Sequence, residues 1–303
     1  MNATAKPLLR ATNLVKEFNI SGTGGLLRKP EVFRAVDDVS LEVYPGETLA
    51  LVGESGSGKS TTARLIARLM SATSGEIEFD GRDVSQISGK ELHEFRSDVQ
   101  VIFQDPYSSL NPRHTVERLV TAPLLYQNRE VPGGPKRFTQ DLMARVGLNP
   151  DHSTRYPWQF SGGQAQRIGI ARALAVRPRL VIADEAVSAL DVSVQAQVIN
   201  LLKKLQREEG FSYLFIAHDL AVVRQIADRL AVMNSGRIVE MGERDQIFGA
   251  PQDPYTQRLL GAVPRIRPEW DAARRENDRK RHLAAAAASE AAAAGSDPLR
   301  KES

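Results

Sequence analysis

Apolar residues fall along this chain in short runs and in helical stripes. Val39–Val43 and Thr48–Val52 are apolar runs of strand length on either side of a turn signal, Tyr44-Pro45-Gly46-Glu47. Thr61–Met70 reads as a helix. Glu76–Phe79, closed by Asp80-Gly81, and Val99–Phe103 read as further strands. From Ser108 to Phe160 the pattern changes to Pro-punctuated helical patches, such as Phe138–Val146, so this segment is expected to be a helical insertion. Gln164–Val176 is a helix that stops before Pro178, and Leu180–Ala183 is a buried-type strand. Val194–Glu209 is a strongly amphipathic helix ended by Gly210, and Tyr213–Ala217 is a strand. Leu230–Asn234 and Arg237–Glu240 form a hairpin across Asn234-Ser235-Gly236. Strands alternating with helices predict an α/β fold whose mainly parallel sheet is covered on both faces. The two strands at the start are expected to give that sheet a mixed edge. Past Pro264 the pattern collapses into low-complexity runs, Ala284–Ala288 and Ala291–Ala294, so residues 265–303 are expected to be a disordered tail or a lone helix.

One loop in this frame carries recognisable chemistry. Gly53-Glu54-Ser55-Gly56-Ser57-Gly58-Lys59-Ser60, followed by Thr61, fits G-x-x-x-x-G-K-[ST] at each position. The glycines let the backbone curl so that successive N–H groups point at phosphate oxygens, and the following helix adds its positive end. Lys59 reaches the β- and γ-phosphates, and the Ser60 hydroxyl is a Mg²⁺ ligand. A strand before the loop and a helix after it supply the required context. A second element completes the set. Leu180-Val181-Ile182-Ala183-Asp184-Glu185 is an apolar strand ending in two acids. Asp184 suits Mg²⁺ held through water, and Glu185 suits a base that deprotonates a water aimed at the γ-phosphate.

Composition narrows the classes. The 303 residues are 42% hydrophobic and 25% charged, near the globular norm, and suffice for about two domains. There is no cysteine, which excludes disulfides, thiolate zinc sites, iron–sulfur clusters and cysteine nucleophiles. No apolar run approaches the ~18–20 residues that cross a bilayer, and the first ten residues lack the apolar stretch of a signal peptide. The chain is therefore expected to be soluble, or to reach a membrane through a partner. The formal charge is +3, but nine basic and seven acidic residues lie in the tail. The near-neutral body gives no field that would favour nucleic acid.

A longer motif then names a family. Ser161-Gly162-Gly163-Gln164, running into Ala165–Leu174, resembles the signature of ABC-type ATPases. The other family marks stand in order: Gln104 in Phe103-Gln104-Asp105-Pro106, Asp191 in Ser188-Ala189-Leu190-Asp191, and His218 in Ala217-His218-Asp219. The resemblance covers about residues 8–264. It implies an ABC nucleotide-binding domain: a P-loop core with a mixed sheet, an antiparallel β subdomain, and a helical subdomain over about 108–176 that bears the signature. It also implies ATP and Mg²⁺ as cofactors and roles for particular residues. Gln104 joins Ser60 on Mg²⁺ and lies at the membrane-partner contact. His218 senses the γ-phosphate. Phe18 stacks on adenine, with Phe33 as its rival beyond a Gly-rich insertion at Ser21–Pro30. Ser161, Gly162, Gly163, Gln164 and Asp191 act in trans, on nucleotide held by an opposing subunit. Phe160 stands where leucine is commoner and is expected to be a packing residue.

Within the family, three segments resemble the oligopeptide/dipeptide importer branch: Phe103–Pro112, Asp184–Ser193 and Asp253–Leu260. The last belongs to a C-terminal extension over about 243–264 and also reads simply as a capped amphipathic helix. The resemblance implies an ATP-hydrolysing subunit, peripheral on the cytoplasmic face of the inner membrane, driving uptake of peptides or a related small solute. It implies two transmembrane permease subunits, a second ATPase subunit and an extracytoplasmic substrate-binding protein as partners, and no nucleic acid. The alternatives are an exporter ATPase, disfavoured by the absence of a fused membrane segment, and a non-transport ABC protein of DNA or ribosomes, which would carry a coiled-coil insertion or tandem domains. A P-loop kinase would leave the signature unexplained.

Overall fold

The computed structural model describes residues 6–20 and 31–262. The Gly-rich insertion at 21–30 and the Ala-rich tail lie outside the described residues. The chain opens with two long strands, β1 (Leu9–Ile20) and β2 (Glu31–Val43), then β3 (Thr48–Val52) and the helix α1 (Lys59–Ile66). Next come β4 (Ser74–Phe79), β5 (Arg82–Asp83), α2 (Gly89–Asp98) and β6 (Val99–Ile102). A helical stretch follows: α3 (Pro106–Ser109), α4 (Val116–Tyr126), α5 (Pro135–Arg145), two short 3₁₀ turns, and α6 (Gly162–Leu174). The chain closes with β7 (Leu180–Asp184), α7 (Val192–Glu209), β8 (Ser212–Ala217), α8 (Leu220–Ile226), β9 (Arg229–Asn234), β10 (Arg237–Glu243), α9 (Arg244–Gly249) and α10 (Pro254–Gly261).

The strands form two sheets. One is antiparallel, in the order β2-β1-β4-β5. The other is six-stranded, in the order β10-β9-β3-β8-β7-β6, parallel except for the β9–β10 hairpin at its edge. This corrects one expectation. The strands flanking the Tyr44–Glu47 turn do not pair with each other: β2 belongs to the antiparallel sheet and β3 to the parallel one. The mixed edge of the core sheet comes instead from β10, far along the chain.

Every residue of β3, β7 and β8 is buried. Alternate residues show why these strands carry no polar face. Leu49, Leu51, Ile182, Leu214 and Ile216 join a cluster with Leu65 and Ile66 of α1 and with Leu9, Leu14 and Leu41 of the antiparallel sheet. The intervening Ala50, Val52, Ala183 and Phe215 are buried as well, so the sheet is covered on both faces. α1 thus touches β1 and β2 on one side and β7 and β8 on the other. Each fully buried leucine here is worth about 1.5–3 kcal/mol, so the helix that follows Gly58 is anchored in the core. In the helical stretch, α4, α5 and α6 pack on one another.

Candidate functional site

Pairing in the parallel sheet brings the sequence-predicted residues to one edge. Val52 is level with Ala217, Asp184 with Ile216, and Ile102 with Ala183. The residues that follow these strand ends are therefore Gly53, His218, Glu185 and Phe103-Gln104. Open α/β sheets take their ligands beyond the carboxyl ends of the strands, and all four positions lie there.

The loop from Gly53 to Gly58 is tightly confined. A Cβ on Gly53 would lie 2.1 Å from the Met233 carbonyl oxygen, and one on Gly58 would lie 2.4 Å from that of Ala35. Both glycines also have positive φ, 152° and 106°. Any side chain at either position would push the loop off its supports on β9 and β2. Inside the loop, the Lys59 side chain is buried at 4% exposure. Its Nζ donates to the carbonyls of Gly53 at 2.8 Å and Glu54 at 2.7 Å. Burial lowers the Lys59 pKa, an effect partly opposed by the charges of Glu185, Asp184 and Glu54. The amides of Lys59, Ser60 and Thr61 open α1 beyond Gly58, which caps the helix with no side chain, and meet no acceptor among the described residues. A buried cation beside free amides at a helix start is a donor set for phosphate.

The residues expected to hold a metal are equally close together. Ser60 Oγ donates to Asp184 Oδ1 at 2.8 Å, and Asp184 is 7% exposed. Gln104 is exposed beside the neighbouring strand end. These are oxygen donors, as Mg²⁺ requires. No cluster of three or more His, Cys, Asp or Glu suited to a metal exists among the described residues.

Glu185 takes a left-handed backbone, φ 49°, which is uncommon for a residue other than glycine and is the kind of strain that clusters at functional sites. Its amide donates to the Ile216 carbonyl at 3.1 Å, tying the turn to β8. Its carboxylate lies 3.7 Å from His218 Nδ1, too far for a hydrogen bond. His218 is half exposed, whereas the Glu185 side chain is largely covered.

The remaining residues lie elsewhere. Ser161 caps α6: its Oγ accepts from the Gln164 amide, and Gln164 Oε1 accepts from the Ser161 amide at 3.0 Å. No hydrogen bond among the described residues joins this turn to the Gly53–Ser60 loop. Gly163 is required by packing, since a Cβ there would lie 2.5 Å from Val194 Cγ1 on α7. Asp191 is exposed at the start of α7, and its side chain makes no cap. Phe160 is buried, as a packing residue should be. Phe18 and Phe33 turn out to be direct cross-strand partners on β1 and β2, both exposed, with Lys16 Nζ 5.4 Å from the Phe18 ring. The two rivals occupy opposite positions on neighbouring strands. A cavity of about 700 Å³, lined by Lys90–Asp98 of α2 and by Gln127–Arg129, contains none of these groups. One neighbour of the loop has no role assigned by its motif: Tyr255 of α10, within the Asp253–Leu260 segment, whose hydroxyl accepts from the Glu54 amide at 3.0 Å. Nothing local in the sequence relates those two positions.

A phosphate-binding loop on a sheet edge, with acids on the second strand over and a signature helix on a separate helical stretch, defines an ATP-binding cassette fold. The comparisons agree. The profile of the ABC transporter family matches residues 36–188, and that of the oligopeptide/dipeptide transporter C-terminal region matches residues 239–290. The oligopeptide transport ATP-binding protein OppF of Streptococcus mutans is 50% identical over 268 residues, 87% of this chain and 84% of that protein. The glutathione import ATP-binding protein GsiA of Pectobacterium atrosepticum is 53% identical over 262 residues, 86% of this chain but 42% of that protein. The chain thus spans less than half the length of the GsiA relatives it matches. A dimeric ATP-binding cassette, MJ0796, in a post-hydrolysis state bound to ADP and Pi, superposes with a TM-score of 0.68 at 29% identity, covering 78% of this chain and 98% of that one. The chain belongs to the ABC transporter family, and its C-terminal region to the oligopeptide/dipeptide branch.

Proposed function

We propose that this chain is the ATP-hydrolysing subunit of an importer for oligopeptides, dipeptides or a related small solute. Its working unit would be the cassette over about residues 8–264, with the helical subdomain at about 108–176 and the peptide-transporter extension at about 243–264. The observation that carries the reading is the division of the chemistry. Lys59, Ser60, Asp184, Glu185 and His218 share one sheet edge, while the capped Ser161 turn stands apart with no tie to the phosphate loop. One chain then holds a full phosphate cradle and a second, unused helix start. Two chains facing each other would bring each Ser161 turn, with Asp191, to the other's nucleotide.

In this reading the Gly53–Thr61 loop, with the free amides of Lys59, Ser60 and Thr61 and the Lys59 ammonium, holds the phosphates and stabilises the charge that develops on the transferring group. Lys59 would leave the Gly53 and Glu54 carbonyls for phosphate oxygens, which are better partners for a buried cation. Ser60 and Gln104, with Asp184 through water, would hold Mg²⁺, which neutralises phosphate charge when bound. Glu185 takes the proton of the attacking water, and His218 contacts the γ-phosphate beside it. Phe18, opposite Phe33, stacks on adenine. Nucleotide binding closes the pair, hydrolysis reopens it, and the motion passes through Gln104 to two permease subunits fed by an external binding protein. The subunit would sit on the cytoplasmic face of the membrane. No helix among the described residues is long and apolar enough to cross it.

The test is Glu185→Gln in purified protein. Hydrolysis should fall by at least about 10², while ATP, no longer consumed, should hold the chains as dimers in light scattering. Unchanged turnover would remove Glu185 from its role as base.

A further inference from the structure

Tyr255 lies 201 positions from Glu54, yet its hydroxyl accepts the Glu54 amide at 3.0 Å. The tyrosine is 8% exposed, so its position is set by packing and not by chance rotation at the surface. A short relay fixes it. Glu240 on β10 accepts the amides of Gln252 at 2.8 Å and Asp253 at 3.1 Å. Asp253 Oδ1 in turn accepts the amides of Tyr255 at 2.7 Å and Thr256 at 3.3 Å, which caps α10. The strand beside β10 is β9, whose Met233 carbonyl confines Gly53. The core sheet edge therefore holds the start of the phosphate loop twice, once by contact at Gly53 and once by hydrogen bond at Glu54.

The second hold bears on the loop's charge. While the Glu54 amide is given to Tyr255, the Glu54 carbonyl receives Lys59 Nζ at 2.7 Å and the Ser57 amide at 3.2 Å. One residue thus links the phenol on one side to the phosphate lysine and the loop turn on the other. The Glu54 amide belongs to the peptide group whose carbonyl, that of Gly53, accepts Lys59 Nζ at 2.8 Å, so the phenol and the lysine hold the two sides of one peptide.

We propose that Tyr255 is a positioning residue of the phosphate loop, and that through it the C-terminal segment helps set the affinity for nucleotide. The proposal rests on the reading of Gly53–Ser60 as a nucleotide site. A hydrogen bond of ordinary net strength corresponds to about a two- to tenfold change in an equilibrium constant. Because the bond lies at the loop and away from Glu185 and His218, its loss should appear in Kd and KM and not in kcat.

The experiment compares Tyr255→Phe, which keeps the ring and removes only the hydroxyl, with wild type and Lys59→Ala in the full chain. Hydrogen exchange is followed in the peptide containing Glu54 without nucleotide, and binding is titrated with a fluorescent ATP analogue. For Tyr255→Phe we expect faster exchange at Glu54, Kd and KM raised about two- to tenfold, kcat unchanged, and a melting temperature lowered by no more than about 2–4 °C. Wild-type exchange in Tyr255→Phe would overturn the contact. Faster exchange with wild-type Kd would overturn its role in affinity, and a drop in kcat with Kd unchanged would do the same. The broader reading fails separately: if Lys59→Ala binds the analogue as wild type does, Gly53–Ser60 is not the nucleotide site, and the exchange result still decides whether Tyr255 holds the loop.

Discussion

The Ser60 hydroxyl and the Asp184 carboxylate, 124 positions apart, meet at 2.8 Å where α1 begins and β7 ends. A hydroxyl partner leaves the remaining carboxylate oxygen positions open, and a hard cation beside phosphate is a fitting partner for them. Asp184→Asn keeps the hydrogen bond to Ser60 and removes the charge. If Asp184 holds Mg²⁺ through water, the metal concentration giving half-maximal hydrolysis should rise about 10- to 100-fold. An unchanged metal titration would remove Asp184 from the site.

Phe18 and Phe33 pair across β1 and β2 with both rings exposed. Phe18→Ala should weaken ATP binding by about 1–3 kcal/mol, the range for base stacking on an aromatic. It should leave the binding of inorganic tripolyphosphate unchanged, because that ligand has no base. Equal losses for both ligands would mean that Phe18 supports the loop and does not contact adenine.

The lowered pKa of Lys59 makes nucleotide affinity depend on pH with a definite sign. Burial, the main cause, depresses the value in the free protein. A bound phosphate favours the ammonium and raises it, so binding takes up a proton in the window between the two values. Affinity should be flat above about pH 7, where phosphate is largely ionised, and should then fall as pH rises through the free-state value. The fall is at most about tenfold per pH unit. Titrations with the fluorescent analogue at increasing alkaline pH would show it, and affinity that grows with pH would contradict it.

Gly163 leaves room for Val194 and for nothing larger than hydrogen. Gly163→Ala should lower stability by about 1–3 kcal/mol through overpacking, because a β-branched valine has little freedom to turn away. Val194→Ala in the same chain should recover most of that loss. Thermal unfolding of the single and double variants measures the coupling, and additive losses would show that Val194 is not the obstacle.

The parts legible in the sequence were those whose chemistry is written in consecutive residues. The phosphate loop, the Asp184-Glu185 strand end, the signature turn and His218 all fall where their local patterns place them, because each is one strand end and one turn. The parts that were not legible depend on partners distant in sequence. β1 was missed as a strand because its alternation is broken by bulges, with register shifts around Ala11, Leu14 and Lys16 and a left-handed Asn13. α4 was hidden within the helical insertion by Pro123, which the helix accommodates. The turn at Tyr44–Glu47 looks like a hairpin in sequence, yet the chain crosses there from one sheet to the other; apolar strands do not reveal which neighbour they will choose. Phe18 and Phe33 read as competing candidates in the sequence, whereas strand register makes them cross-strand partners. The Tyr255 contact with Glu54 is tertiary throughout.

The claim beneath all of this is that each nucleotide is enclosed by Lys59 and Glu185 of one chain and by Ser161 of another. Hydrolysis per chain should be measured during serial dilution, with the mass of the species followed by light scattering in the same samples. The account predicts that the rate per chain collapses as dimers give way to monomers. A constant rate in samples that are wholly monomeric would contradict it.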